Sequence, residues 1–225
     1  MTGFVMRSRE RFAKQGLLPP DLPPFLHGYQ RGNRFWVVGD QPSGYYLRHL
    51  VLHEGTHGFM ENVLGGTGAP WYREGIADFL ATHLWEKNRV ALGHMPKNRR
   101  EVPYWGRIKV LKDAFANGKA LMIQEVMRLE TREYMRVDAY AWSWAAAVFL
   151  DSHPVFRQRF RDLSKTTKDN TLRFTRNFEQ QIINELRELD EEWQLFIANM
   201  DYGYDFDRFT AVSYTHLTLP TICSV

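Results

Sequence analysis

Hydrophobic and polar positions divide this chain into segments of distinct period. Leu17 to Pro24 carries Pro19, Pro20, Pro23 and Pro24 and cannot be helical, so it reads as packed, extended coil. Arg34-Phe35-Trp36-Val37-Val38, between the turn signals Gly32-Asn33 and Gly39-Asp40, reads as a short strand. From about Gly44 to Val63, the residues Leu47, Leu50, Val51, Met60 and Val63 recur at mixed i+3/i+4 spacing before Gly65-Gly66, which predicts a helix. Pro70 fits the start of a second helix with Trp71, Ala77, Leu80 and Leu84 along one face. Downstream, Arg89 to Gly93 suggests another strand, while Trp105 to Phe115, Ala120 to Arg128, Ala139 to Leu150 and Val155 to Leu163 suggest helices. In the polar stretch from Phe178 to Asn199, Leu186, Leu189, Trp193 and Phe196 mark surface helices docked by one face. The expected class is α+β, mainly helical, and no internal repeat is visible.

The first long helix carries His53-Glu54-Gly55-Thr56-His57. Residues four apart on a helix lie ~40° apart around it and ~6 Å along it, so both imidazoles can bind one metal ion. That is the spacing of a zinc site. Glu54 points about a quarter-turn away, off the metal but near enough to polarise a water held there. A hydrolytic zinc site takes three protein ligands, and Glu74, in the first turn of the second helix, completes the set with His53 and His57. Asp78, one turn after Glu74, is placed to accept the free ring N–H of a ligand histidine. Each acid also has a plainer reading: Glu74 as a carboxylate favoured by the helix dipole, Asp78 as a solvated surface group. His49, one turn before His53, is expected beside the ligands rather than among them. His83 should face away from Glu74 on the same helix, and His27, His94 and His153 fall beside Pro or Gly in loops, where a lone histidine is more often a surface residue than a ligand.

His53-Glu54-x-x-His57 followed by Glu74-Gly75-x-Ala77 resembles the gluzincin group of zinc metallopeptidases (peptidase clan MA). With Tyr45-Tyr46-Leu47-Arg48-His49, Pro70-Trp71-Tyr72-Arg73-Glu74-Gly75 and Ala139-Tyr140-Ala141-Trp142-Ser143-Trp144, the chain is similar to a largely uncharacterised bacterial family of peptidase-like proteins, from about Arg9 to Arg208. The resemblance implies a zincin-like metalloprotease domain with a small N-terminal sheet, an edge strand beside the zinc helix, and Asp78 as partner of His53. It implies that Phe35, Trp36, Val37 and Val38 form that edge strand and pair with an extended substrate, the alternative being an ordinary core strand. It also suggests Tyr140 as donor to the oxyanion, with Tyr72, Tyr104 and Tyr134 as alternatives, and with a plain core role for Tyr140 as the other reading on a helix that also carries Trp142, Trp144 and Phe149. Arg107 is a candidate for a substrate carboxylate, although a surface ion pair is the simpler reading. The function expected is peptide-bond hydrolysis with Zn2+ as cofactor, Glu54 as general base and a peptide or protein as substrate. Two alternatives stay open: a non-catalytic zinc-containing module that binds peptide or glycan, and a zinc hydrolase of a non-peptide amide.

Composition narrows the picture further. At 225 residues with 44% hydrophobic and 14% aromatic content, the chain can build one sizeable core. Its net charge of +3, from 29 basic and 26 acidic residues, is spread out, and no basic block with interleaved aromatics suggests nucleic-acid binding. There is no run of 18 apolar residues and no signal-peptide pattern at Met1 to Met6. Residues 213–225 break the preceding composition and resemble translated sequencing-adapter read-through, so the metallopeptidase domain is expected to span 1–212. The single cysteine, Cys223, lies in that tail, which leaves no disulfide framework. Relatives of this kind often carry an export signal and further C-terminal sequence, which implies a fragment lacking both; only with such a signal would export to the cell envelope or periplasm be expected, and the residues themselves leave localisation open.

Overall fold

Three strands assemble from the N-terminal part of the chain in the computed structural model, which describes residues 1–206: β1 (Thr2–Met6), β2 (Gly28–Arg31) and β3 (Arg34–Val38), with helix α1 (Arg9–Lys14) between the first two. The tail at 213–225, the boundary at 212 and Cys223 lie outside the described residues. Gly32-Asn33 joins β2 to β3 as a two-residue turn, and Gly32 takes φ 59°, a conformation that glycine adopts at no steric cost. β3 runs parallel to β1 and antiparallel to β2, so the sheet order is β1-β3-β2.

That order corrects the expected substrate strand. Phe35, Trp36, Val37 and Val38 lie in the central strand, with neighbours hydrogen-bonded on both sides, and their backbone is not available to an added peptide. The apolar run of β3 follows from this position: Phe35, Trp36 and Val37 are all buried. Within this sheet, β2 and β1 are the edges.

Helix α2 (Gly44–Phe59) is capped by Ser43, whose hydroxyl accepts from the Tyr46 backbone N–H at 3.0 Å. It continues through a π-helical turn at Met60–Leu64 and stops at Gly65, whose φ is 79°. One face packs on the sheet through Leu50 against Phe35 and Val37. The other meets α3 (Pro70–Ala81). Pro70 stands at the first position of α3, as expected, but the helix ends at Ala81 and does not reach Leu84. Thr82 turns extended, and the chain enters the hairpin of β4 (His83–Glu86) and β5 (Arg89–Leu92), whose turn residues Lys87 and Asn88 both have positive φ.

Among the described residues, the remaining α-helices are α4 (Arg107–Ala116), α5 (Ile123–Met127), α6 (Val137–Ser152), α7 (Arg157–Asp162), α8 (Leu172–Gln181) and α9 (Leu186–Asn199). α6 is the hub. Its residues from Ala141 to Leu150 are all buried, and it packs against α3 and α4. α3 approaches it so closely that a Cβ on Gly75 would lie 2.6 Å from the Ser143 carbonyl oxygen, so glycine next to Glu74 brings the two backbones together. The polar stretch expected at 178–199 divides between α8 and α9, and α9 docks as foreseen, by Leu189, Trp193, Phe196 and Ile197. The class is α+β, mainly helical with a small sheet. Among the described residues no helix is long and apolar enough to cross a membrane.

Candidate metal centre

The buried face of α2 carries His49, His53 and His57, one per turn, where a core helix would carry aliphatic residues. His53 Nε2 and His57 Nε2 are 3.1 Å apart. Glu74 Oε2, from the facing turn of α3, lies 3.2 Å from the first and 3.3 Å from the second. Ligand atoms bound ~2.0–2.1 Å from one tetrahedral ion are separated by about 3.3–3.4 Å, so this triangle is nearly the size that a single ion requires. The donor set also fits. Three groups with inward-facing lone pairs are buried together, an arrangement that a shared cation or proton relieves. Among the described residues, Glu54 belongs to neither of the two groups of side chains that could hold a metal ion.

The second group is His49, His53 and Asp78. Asp78 is fully buried, which rules out a solvated acid. Its Oδ1 stands 3.5 Å from His53 Nδ1, on the side of the ring opposite the metal position, and 2.9 Å from His49 Nε2. Arg107 donates to it twice, from Nε to Oδ2 at 2.6 Å and from the terminal guanidinium N–H to Oδ1 at 3.2 Å. That guanidinium repels a second cation, so the His53–His57–Glu74 triangle is the better metal site. Arg107 is thus neither a surface ion pair nor free to take a substrate carboxylate. His57 differs from His53, because its buried Nδ1 finds no partner among the described residues.

The electrostatics of these side chains alone show a demand for positive charge. Burial opposes charge on His53, but contacts with Asp78 and Glu74 outweigh it and hold the ring protonated up to about 10. Burial prevails at His57, pushing it down to about 4 against the pull of Glu74. Burial also opposes charge on Glu74, yet His57 and His53 keep its carboxyl well below the usual carboxylate range. Burial pushes Glu54 up to about 7, with His53 opposing. A proton on His53 therefore occupies the role that a metal would take. With His57 already neutral and Glu74 already ionised, a divalent metal displaces one proton. Its apparent affinity should rise about tenfold per pH unit from pH 7 toward 10. A competition titration giving a flat profile above pH 7.5, as for ordinary histidines, would contradict this assignment.

Tyr140, half-buried near the start of α6, reaches the site, with its ring 6.0 Å from His53 and 5.7 Å from the Arg107 guanidinium. Burial first, and then Glu74, raise its hydroxyl above the ordinary range, so it stays a neutral donor. Tyr134 packs edge-on against it at 5.3 Å, but its own hydroxyl is engaged by Ser143 Oγ. Tyr72 is in the core against Phe160 and Phe174, which removes it, and Tyr104 is exposed. His83 is structural, as expected, though on β4 rather than α3, where it stacks on Tyr45 at 4.6 Å. His153, expected in an exposed loop, is buried and paired with Glu192 of α9.

Sequence reasoning missed two contributors. The pairing of Arg107 with Asp78 spans 29 residues, and no local period announces it. Gly28 of β2 lies against Glu54, where a Cβ would fall 2.5 Å from Oε1. A lone glycine at the first position of a short strand was the available signal. No family model matches this chain, and no curated protein or solved structure matches it either.

Proposed function

We propose that this protein is a zinc-dependent peptidase of the gluzincin type with a zincin-like fold. One observation carries the reading: three buried ligand atoms from α2 and α3 converge at single-ion spacing, with the carboxylate of Glu54 buried beside them and outside the set. When bound, zinc would polarise the scissile carbonyl and lower the pKa of a water toward ~7. Glu54 takes the proton of the attacking water and returns it to the leaving amine. Tyr140 donates its hydroxyl to the developing oxyanion. Asp78 orients His53 from behind, and Arg107 keeps Asp78 ionised.

The substrate strand moves from β3 to β2. The Val38 N–H donates to the His27 carbonyl at 2.7 Å, so alternation turns the backbone groups of His27 and Tyr29 toward β3 and those of Gly28 and Gln30 toward the open edge. An extended peptide added along that edge passes Glu54, which touches Gly28. Cleavage profiling on a mixed peptide library tests the reading, using zinc-loaded, chelated and reloaded protein. Cuts that vanish with the chelator and return with zinc are expected. Peptide binding without cuts would replace the reading with the non-catalytic module, and turnover confined to non-peptide amides would replace it with the other hydrolase.

A further inference from the structure

Gly28 is a glycine without a backbone reason. It opens β2, in the first pair of the register opposite Val37, and it is not among the glycines with positive φ. Glycine weakens a strand, so its presence there points to a close approach by something else. That neighbour is Glu54: a Cβ at position 28 would lie 2.5 Å from its Oε1, 2.8 Å from its Cγ and 2.9 Å from its Cδ, all too close for real contacts.

Neither backbone can easily yield. β2 is tied to the sheet by the His27–Val38 hydrogen bond and the Val37 pairing, and α2 is held on the sheet by Leu50 against Phe35 and Val37. The Glu54 side chain is the soft element, since its torsions can change well at modest cost. We infer that Gly28 is a positioning residue for Glu54, the missing side chain being the space that seats its carboxylate between the edge strand and the metal ligands. The inference rests on the peptidase reading for the role of Glu54. It separates activity from folding: a methyl at 28 turns Glu54 away while the sheet and the three ligands stay in place.

The test is a cycle of Gly28→Ala, Glu54→Ala and the double variant, because alanine at 54 lacks the Cγ, Cδ and Oε1 atoms that meet the added methyl. Gly28→Ala should keep its zinc content and its Tm within about 2 °C. On the best library peptide its kcat should fall about tenfold or more, with KM within about twofold. Acetohydroxamate provides a readout without turnover, since it binds a metal and donates a hydrogen bond to a neighbouring carboxylate. Its affinity for zinc-loaded protein should drop about tenfold in Gly28→Ala. Glu54→Ala should cost much less in the Gly28→Ala background than in wild type, in kcat and in acetohydroxamate affinity, because Glu54 is already turned away there. Unchanged kcat and acetohydroxamate affinity in Gly28→Ala, or strictly additive losses, would overturn the inference. If Gly28→Ala misfolds, recovery of folding in the double variant supports the clash with Glu54, and failure to recover overturns it. An inactive wild type that still shows the acetohydroxamate coupling would sink the peptidase reading and leave the seating of Glu54 standing.

Discussion

Glu54→Gln is expected to keep the metal and the fold while hydrolysis falls ~10²–10⁴-fold, the usual contribution of a positioned general base. The amide nearly matches the carboxylate in size, so the contact with Gly28 is preserved, but it cannot accept a proton from the attacking water. Metal retention follows because Glu54 is not one of the converging atoms. A second signature needs no substrate. Burial lifts the Glu54 carboxyl to about 7 in the metal-free protein, above its unfolded value. Such a group favours folding at low pH, and that contribution is lost as pH rises from about 4.5 through 7. Metal-free Glu54→Gln should therefore gain stability relative to wild type over that window. Equal turnover of wild type and variant at equal metal occupancy would remove Glu54 as the base.

Arg107→Met should destabilise the metal-free protein by about 3–5 kcal/mol, the cost typical of removing one partner from a buried ion pair. Asp78 is fully buried and Arg107 nearly so, and the variant leaves the carboxylate with only His49 at 2.9 Å and His53 at 3.5 Å. Met keeps much of the stem that packs near Tyr140, which limits the cavity contribution. Adding Asp78→Asn to Arg107→Met removes the stranded charge and should recover more than half of the loss. Urea unfolding of the four proteins measures this. A loss below about 1 kcal/mol would be the behaviour of an exposed pair and would contradict the buried assignment.

Helical spacing made the first half of the site legible. His53 and His57 share a face because residues four apart must, and Asp78 follows Glu74 for the same reason. Pro70 marked where that second helix begins. What depends on pairing between distant segments was not legible. The run Phe35 to Val38 reads equally as an edge or a central strand, and only the parallel addition of β1, exposed along most of its length, makes it central. α1 buries no residue, so it left no apolar stripe to find. Arg107 and His153 were read as surface groups because the acids that neutralise them, Asp78 and Glu192, lie 29 and 39 residues away in sequence.

The central claim is that His53, His57 and Glu74 together hold one zinc ion. Metal analysis of purified wild type and Glu74→Ala, after equilibration with limiting free zinc, tests it most directly. The expected result is about one zinc per chain in wild type and most of it lost in Glu74→Ala. Full zinc retention by Glu74→Ala, or no zinc in wild type, would contradict the assignment.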